Sequence, residues 1–533
     1  MFQYIKKVLK HLKNKKTNDE DSAPQSSQLS LSLDLNSNLD TLRKIFSISS
    51  DIVIREFAFG QKPQIHAALI YVDGLVDKAT INQSIIKPLM YDSRTICSEE
   101  THKENIDHIK TTLLSVGEVK QITSINKLVD GCMSGDTILL INGFDEALVM
   151  STRAWETRGV QEPQTENVVR GPREGFSETL RINTSLLRRK IKNPDLILET
   201  MKIGNRTKTD VCIAYLNSIV NPALIDEIKR RLNRINTDAI LESGYIEQFI
   251  EDAPYSIFAT VANSEKPDVV AAKILEGRAA IFIDGTPFVL TVPMLFVESF
   301  QTSEDYYSRT FFSSIIRILR YVSYMITILT PGVYVAVLAY HPELIPTPLM
   351  FTLMASEEGL PFPLFLELFV MVLVFDILRE AGVRLPRPVG QAVSIVGALV
   401  IGEAAVAAGI VSDFTVIVIA ITAVSSFVIP AQTDSASMLR YILLILGGVM
   451  GGYGIIIGLI CALVHLATLR SFGTPYLSPL APLVRRDLKD TFIRVPIWGM
   501  ATRPEDIGAQ ESKRQSSGLK PTPPPEEENQ TRS

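Results

Sequence analysis

Residues 388–411 read PVGQAVSIVGALVIGEAAVAAGIV, an apolar stretch that holds one carboxylate, Glu403. About 20 apolar residues are needed to cross a hydrocarbon core of ~30 Å, so this stretch is long enough to span a membrane. A charge at mid-membrane costs ~2.5–3.5 kcal/mol on insertion scales. Glu403 must therefore face protein or water, and its surroundings decide whether the chain only resides in a membrane or also moves something across it.

Four further apolar stretches surround this one, at 321–340, 361–378, 414–429 and 441–469. Together the five predict an all-α polytopic membrane domain, preceded by an α/β region. Arg317 and Arg320 before the first stretch, and the arginines of the loop 379–388, place these segments on the cytoplasmic side. Five crossings would leave the C-terminus outside, although 470–494 is basic; a re-entrant pair broken in the glycine cluster at 447–454 would remove this conflict.

The part of the chain before the membrane domain contains two similar stretches. AALIYVDGLVDKATINQSIIKPL (67–89) aligns with DVCIAYLNSIVNPALIDEIKRRL (210–232), and each runs from an apolar strand through a turn into a helix. GDTILLINGFDEALVM (135–150) aligns with GRAAIFIDGTPFVLTV (277–292), where Asn-Gly and Asp-Gly predict tight hairpins. We predict two related cytoplasmic α/β subdomains with hairpins; the alternative is a chance similarity between two generic α/β units.

The predicted organisation follows from these patterns and from composition. It consists of a basic N-terminus and flexible linker (1–42), α/β subdomain 1 (43–169), a basic inter-subdomain segment (170–195), α/β subdomain 2 (196–310), a transmembrane domain (311–475), a cytoplasmic basic segment (476–504) and a disordered tail (505–533).

The basic segment contains a cluster of cations, formed by Arg181, Arg188, Arg189 and Lys190. One interpretation is a solvated helix between the subdomains. The other is a contact face for acidic surfaces of neighbouring subunits or for lipid headgroups.

Small residues at intervals of four in the membrane stretches predict close helix packing. Ser394, Ala398 and Gly402 form one such series, and Gly447, Gly448, Gly451 and Gly452 form two more. Packing within one subunit and packing between subunits around a central axis both fit this pattern.

Glu403 has three interpretations: a cationic partner, protonation, or a position on the wall of a water-filled path that prefers cations. None of the five stretches contains Lys or Arg. In the third interpretation the candidate pore-lining residues are Gln391, Ser394, Ala398, Gly402, Glu403 and Val406. Glu367 and Asp376 are secondary intramembrane carboxylates, and Asp376 lies close enough to the arginine loop to form an interfacial ion pair.

Other function classes find little support in the sequence. It contains no catalytic motif, no phosphate-binding loop and no histidine pair at metal-ligand spacing, so we predict no enzyme activity, no cofactor and no metal. The four cysteines form no CxxC pair. A net charge of −5 and the lack of a basic block interleaved with aromatics exclude nucleic acid as a partner.

Three segments resemble the A subunits of the GerA-type spore germinant receptors: RGPREGFSETLRINTSLLRRKIKNPDL (170–196), EGRAAIFIDGTPFVLTVP (276–293) and ILREAGVRLPRPVGQAVSIVGALVIGEAAV (377–406). The resemblance runs from about residue 43 to residue 495. It implies a multi-pass protein of the spore inner membrane that works with a transporter-like B subunit and a lipoprotein C subunit. It also implies a homo-oligomer forming a nutrient-gated ion channel, with the 388–411 span lining the pore.

Two hypotheses follow. The first is a subunit of an oligomeric channel for monovalent cations, whose opening in response to nutrients starts ion release and germination. The alternative is a non-conducting signalling scaffold of the receptor complex. A secondary transporter ranks third, because no inverted repeat is visible in the spans.

Overall fold

The computed structural model describes residues 30–46, 49–60, 64–92, 106–154, 162–163, 166, 168–384, 400–516 and 518–521. The chain divides into two compact units. The first contains residues 1–47, 51–155 and 192–194, and the second contains 48–50, 156–191 and 195–533. Each unit has its own five-stranded antiparallel sheet, and the second also contains the apolar helices.

The first unit consists of α1 (Leu35–Phe46), β1 (Ile52–Phe59), β2 (Ile65–Val72), β3 (Val119–Ile122), α2 (Ile125–Met133), β4 (Thr137–Ile141) and β5 (Ala147–Met150). Irregular helical turns at 78–92 and 106–113 complete it. The strand order is β1-β2-β4-β5-β3. Successive side chains of a strand point to opposite faces, so Ala68 and Ile70 pack with α1 and α2, whereas Ala67 and Leu69 pack with the helical turns.

The sheet of the second unit repeats this order as β6-β7-β9-β10-β8. Its elements are α3 (Leu180–Lys190), β6 (Leu196–Ile203), β7 (Thr209–Leu216), α4 (Pro222–Asn233), α5 (Ser243–Ile250), β8 (Ala262–Ser264), α6 (Pro267–Leu275), β9 (Ala279–Ile283) and β10 (Val289–Val292). The turns predicted at Asn-Gly and Asp-Gly join β4 to β5 and β9 to β10, and their glycines, Gly143 and Gly285, have φ of 90° and 96°. These left-handed conformations explain why glycine stands at both positions.

Two predicted boundaries differ from the structure. α1 begins at Leu35, inside the predicted flexible linker, because Leu35, Leu39, Leu42 and Phe46 recur at helical spacing and are buried in the first unit. At the other end, part of the segment predicted to be a disordered tail is ordered: the Gln510 N–H donates to the Ile219 carbonyl oxygen at 2.8 Å.

The apolar half of the second unit contains α7 (Thr310–Tyr340), α8 (Thr347–Glu357), α9 (Leu364–Arg384), a helical stretch at 400–407, α10 (Asp413–Ser426) and α11 (Thr433–Thr468). Two helices, Thr310–Tyr340 and Pro430–Thr468, are long and apolar enough to cross a membrane. The short strands β11 (Arg470–Ser471) and β12 (Thr474–Pro475) follow α11. Phe296 and Phe300, which follow the sheet, share a core with Tyr324 of α7, Leu439 of α11 and Tyr476.

α11 is a helical hairpin and not one straight rod. Gly451 has φ 62° and ψ −147°, which interrupts the helix. A β-carbon on Gly458 would lie 2.7 Å from the Leu443 side chain. In a straight helix these residues would be roughly 22 Å apart, at 1.5 Å per residue. The chain therefore reverses at Gly451, and Leu439 and Leu466, one from each arm, meet in the same core.

Candidate functional site

Glu403 lies in the helical stretch 400–407 with its side chain exposed. The neighbouring Ala405 and Val406 pack against a core that includes Ile419 of α10 and Val372 of α9. In the part of the chain that the structure describes, no hydrogen bond or ion pair involves Glu403. Its carboxylate is therefore exposed on the described part of the chain.

The other candidate pore-lining residues do not all share this face. Gly402 is buried, and a β-carbon there would lie 3.3 Å from Val416 of α10. Val406 is half-buried against the same core. Gly402 and Val406 thus point toward their own chain, which corrects their placement on one wall with Glu403. Gln391, Ser394 and Ala398 lie outside the described residues.

Glu367 has a local partner instead. It is 2% exposed, and its Oε1 accepts a hydrogen bond of 2.6 Å from the Ser412 N–H. Ser412 is the N-cap of α10, where its hydroxyl accepts from the Thr415 N–H at 3.2 Å. The positive end of a helix dipole stabilises a carboxylate. Glu367 is therefore held by the N-terminus of α10.

Asp376 forms a buried ion pair. Arg440, 1% exposed, donates from Nη2 to both carboxylate oxygens of Asp376, at 2.9 and 2.7 Å. The Tyr441 hydroxyl donates to the same carboxylate at 2.6 Å, and Arg379 lies 3.8 Å away. Arg379 belongs to the predicted arginine loop, but the main partner does not. Arg440 immediately precedes the fifth apolar stretch, and the structure includes it in α11.

The four glycines Gly447, Gly448, Gly451 and Gly452, for which packing within one subunit and packing between subunits were both open, have contacts within the chain. A β-carbon on Gly447 would lie 2.7 Å from the Gly332 carbonyl oxygen of α7, and one on Gly451 would lie 2.8 Å from the Tyr340 ring. Gly448 faces the Phe365 ring and Gly452 faces the His341 ring. These glycines allow α7 and α9 to approach α11 closely, which favours the interpretation of packing within one subunit.

The basic segment is only partly a surface. Arg188 is fully buried and donates to the Ser49 hydroxyl at 3.1 Å, so it is not available as a contact residue. Arg189 and Lys190 each form an ion pair of 3.3 Å with Glu174. Arg181 is exposed.

A buried ionic cluster at the start of α7 is absent from the sequence-based prediction. Arg317 is fully buried and donates to Asp305 at 3.1 Å and to Asp490 at 2.7 Å. Arg320 donates to Asp305 at 2.8 Å, and Arg494 donates to the Asp305 carbonyl oxygen at the same distance. Arg317 and Arg320 thus form ion pairs within the fold. The membrane orientation predicted from positive charge therefore rests on the arginines of the loop after α9. Arginines at helical spacing before an apolar helix were the available signal. Of their acidic partners, Asp305 lies 12 and 15 residues before them, but Asp490 lies 173 residues after Arg317.

We find no group of three or more His, Cys, Asp or Glu side chains positioned to hold a metal ion within the described ranges. Among the described residues, Cys132 and Cys212 are buried, Cys461 is exposed, and none of the three forms a disulfide. The chemistry of this region is therefore that of isolated and paired charges among apolar helices.

Comparisons with known proteins give a consistent result. The family model described as Bacillus/Clostridium GerA spore germination protein matches residues 40–506. The chain is 48% identical over 495 residues to spore germination protein KA of Bacillus subtilis (strain 168), covering 92% of this chain and 90% of that protein. It is 38% identical over 467 residues to spore germination protein GerLA of Bacillus cereus, covering 87% of this chain and 93% of that protein.

The chain is also similar to a protein named as a membrane protein and to a solved structure. The chain is 42% identical over 501 residues to the uncharacterized membrane protein YfkQ of Bacillus subtilis (strain 168), covering 94% of this chain and 96% of that protein. The crystal structure of the N-terminal domain of the A subunit of the Bacillus megaterium spore germinant receptor GerK3 is similar at 37% identity and a TM-score of 0.38, covering 51% of this chain and 98% of that one.

Proposed function

This chain belongs to the GerA family of spore germination proteins as an A-type subunit, and from this premise we propose that it is the channel-forming subunit of a nutrient germinant receptor. In this proposal several copies assemble in the spore inner membrane, with a transporter-like B subunit and a lipoprotein C subunit as partners. Nutrient binding opens a path for monovalent cations, and the resulting ion release starts germination.

The observation that supports conduction is the difference between Glu403 and the other two carboxylates. Glu367 and Asp376 have partners in their own chain, at 2.6 Å and 2.7 Å. Glu403 faces outward from apolar surroundings. A carboxylate that faces lipid is costly, whereas a ring of carboxylates around a shared aqueous lumen favours cations. Assembly of several copies would supply such a lumen.

The helical hairpin supports a membrane topology that agrees with this function. We propose six crossings: α7, α9, the stretch 388–411, α10 and the two arms of α11. Six crossings return the C-terminus to the side of the α/β region. This topology removes the conflict between five crossings and a basic segment after the last one.

The test is ion flux through the purified receptor in liposomes, with the partner subunits and the nutrient present. We expect cation flux above that of empty vesicles, and a lower cation-to-anion permeability ratio for Glu403→Gln. Glu343→Gln, which removes an exposed carboxylate from the loop after α7, is the matched control and should leave the ratio unchanged. A receptor that restores spore germination but passes no ions would establish the scaffold alternative.

A further inference from the structure

The first eleven residues of α7, 310–320, extend beyond what a membrane crossing needs. The helix has 31 residues, which is roughly 46 Å at 1.5 Å per residue, whereas a hydrocarbon core measures ~30 Å. The apolar stretch 321–340 suffices for the crossing, so 310–320 lies at the cytoplasmic boundary. This placement rests on the proposed membrane topology. The outward side of residues 310–320 is nevertheless apolar, because Phe311 is 88% exposed, Ile315 65% and Phe312 61%.

The segment after the last helix lies beside this part of α7. The Arg494 N–H donates to the Ser314 hydroxyl at 3.1 Å, and the Phe492 ring lies 4.9 Å from the Tyr321 ring at the start of the span. Phe492 and Ile493 are themselves exposed. We define the juxtamembrane surface as these two side chains together with Phe311, Phe312 and Ile315.

Near this surface arginines are exposed, whereas the acidic side chains are buried or paired. Arg309, at the N-cap of α7, is exposed, as are Arg485 and Arg486. The acidic residues of the same segment are turned inward: Asp487 is buried and accepts from the Glu505 N–H at 2.7 Å, and Asp490 accepts from Arg317. The accessible side of the segment is therefore apolar and cationic.

We propose that the juxtamembrane surface docks into the headgroup layer of the surrounding membrane and binds anionic lipid. Apolar and aromatic side chains enter the boundary between headgroups and acyl chains, while arginines bind lipid phosphates. Two observations favour lipid over a second copy of the chain. The exposed apolar side of α7 continues without interruption through Leu319 and Val322 into the span, and the segment 483–498 exposes no carboxylate that could pair with the arginines of a neighbour.

The first test is the quenching of a tryptophan by brominated lipid in nanodiscs that contain the full chain. The reporter is Ile493→Trp in a Trp155→Phe, Trp498→Phe background, which removes both native tryptophans. The control reporter is Arg206→Trp, in the β6–β7 turn at the end of the sheet opposite to Val292. We expect acyl-chain-brominated phosphatidylglycerol to quench the reporter at 493 and to leave the reporter at 206 unchanged. An unquenched reporter at 493 would overturn the proposal.

The second test addresses charge. In bilayers of mixed phosphatidylglycerol and phosphatidylcholine, bromine on the anionic lipid should quench the 493 reporter more strongly than bromine on the zwitterionic lipid. Each of Arg309→Gln, Arg485→Gln and Arg486→Gln should lower this preference by up to about five-fold, since one arginine near an anionic surface contributes ~1 kcal/mol. Raised salt should have the same effect. The exposed Arg230→Gln is the control. Equal quenching by both lipids would overturn the anionic assignment.

Three further outcomes separate this proposal from its alternatives. Quenching that is present for the monomer and lost on oligomerisation would assign the surface to a second copy and overturn the lipid assignment. Absence of ion flux would defeat the channel function without affecting these measurements. Extraction of the chain from membranes by alkaline carbonate would defeat the spanning topology and this proposal together.

Discussion

Substitution of Asp376 by asparagine is the most direct test of the helix packing, because it leaves a buried charge without its partner. The Arg440 guanidinium is 1% exposed and contacts both carboxylate oxygens of Asp376 within 3 Å. Removing one partner of a buried ion pair costs about 3–5 kcal/mol, because the remaining charge stays desolvated. Asp376→Asn should therefore lower the free energy of unfolding of the apolar half of the second unit by about that amount.

The same helix supplies a matched control. Glu380 and Arg384 form an exposed pair at i, i+4, with side chains 63% and 78% exposed. Such surface pairs contribute about 0.3–0.5 kcal/mol, so Glu380→Gln should be almost neutral. Replacing both buried partners by apolar residues, as Asp376→Leu with Arg440→Met, should cost less than Asp376→Asn alone, because no unpaired charge remains.

The assay is thermal unfolding of the purified chain in detergent, followed by the fraction that remains monodisperse after heating. At roughly 2–4 °C per kcal/mol for a cooperative unit of 150–250 residues, Asp376→Asn should lower the midpoint by about 10 °C. Glu380→Gln should shift it by less than about 2 °C. Equal midpoints for these two variants would refute the buried ion pair and the packing of α9 against α11 that depends on it.

Four further outcomes follow from individual contacts. Burial raises the pKa of Glu247 to about 7, and the like charges of Glu251 and Glu242 add to this rise. The free energy of unfolding should therefore fall as pH rises from about 4.5 to 7. In denaturant titrations, Glu247→Gln should remove up to about 3 kcal/mol of this decline. Glu367→Leu should destabilise by about 1–3 kcal/mol, because the N–H of Ser412, the N-cap of α10, loses its acceptor. Glu367→Gln should cost less in the same heating assay. Gly447→Val should cost about 1–3 kcal/mol, because the added side chain collides with α7. Gly117→Ala, with open space around it, should have no such cost. Equal thermal unfolding midpoints for the two variants would contradict the close approach. If α11 reverses at Gly451, tags at the two chain ends should be cut by protease from the same side of sealed vesicles, and cutting from opposite sides would exclude the hairpin.

Most of the α/β region could be predicted because its signals are local. The apolar runs before 73 and before 217 each form a strand with both faces covered, and alternation along β2 assigns its residues to the two faces. The Asn-Gly and Asp-Gly dipeptides identified the hairpins, since few residues other than glycine adopt the backbone conformation at Gly143 and Gly285. The predicted linker failed at α1 because polar composition concealed four apolar residues at helical spacing.

In the apolar half of the second unit, the sequence predicted the apolar stretches but not how they pack. Hydropathy treats 441–469 as one long stretch. The glycine cluster at 447–454 offered a possible break, and the backbone of Gly451 and the contact of Gly458 with Leu443 place the reversal at Gly451. Small residues every fourth position predict close packing, but the partner helix is not encoded in the spacing. Gly447 could have met a second subunit, and it meets Gly332 of the same chain instead.

The three carboxylates within apolar stretches differ in surroundings that the sequence does not show. In sequence the three acids look similar: Glu367 and Asp376 share the stretch 361–378, Glu403 stands alone in 388–411, and neither stretch contains Lys or Arg. What separates them is partners 45 and 64 residues away, an N–H at the start of α10 for Glu367 and Arg440 for Asp376. Those two acids are accounted for by packing within one subunit. Under the proposed membrane topology, a charge at this depth requires compensation, and Glu403 finds none among the described residues. This is why we propose an aqueous lumen between copies as its environment.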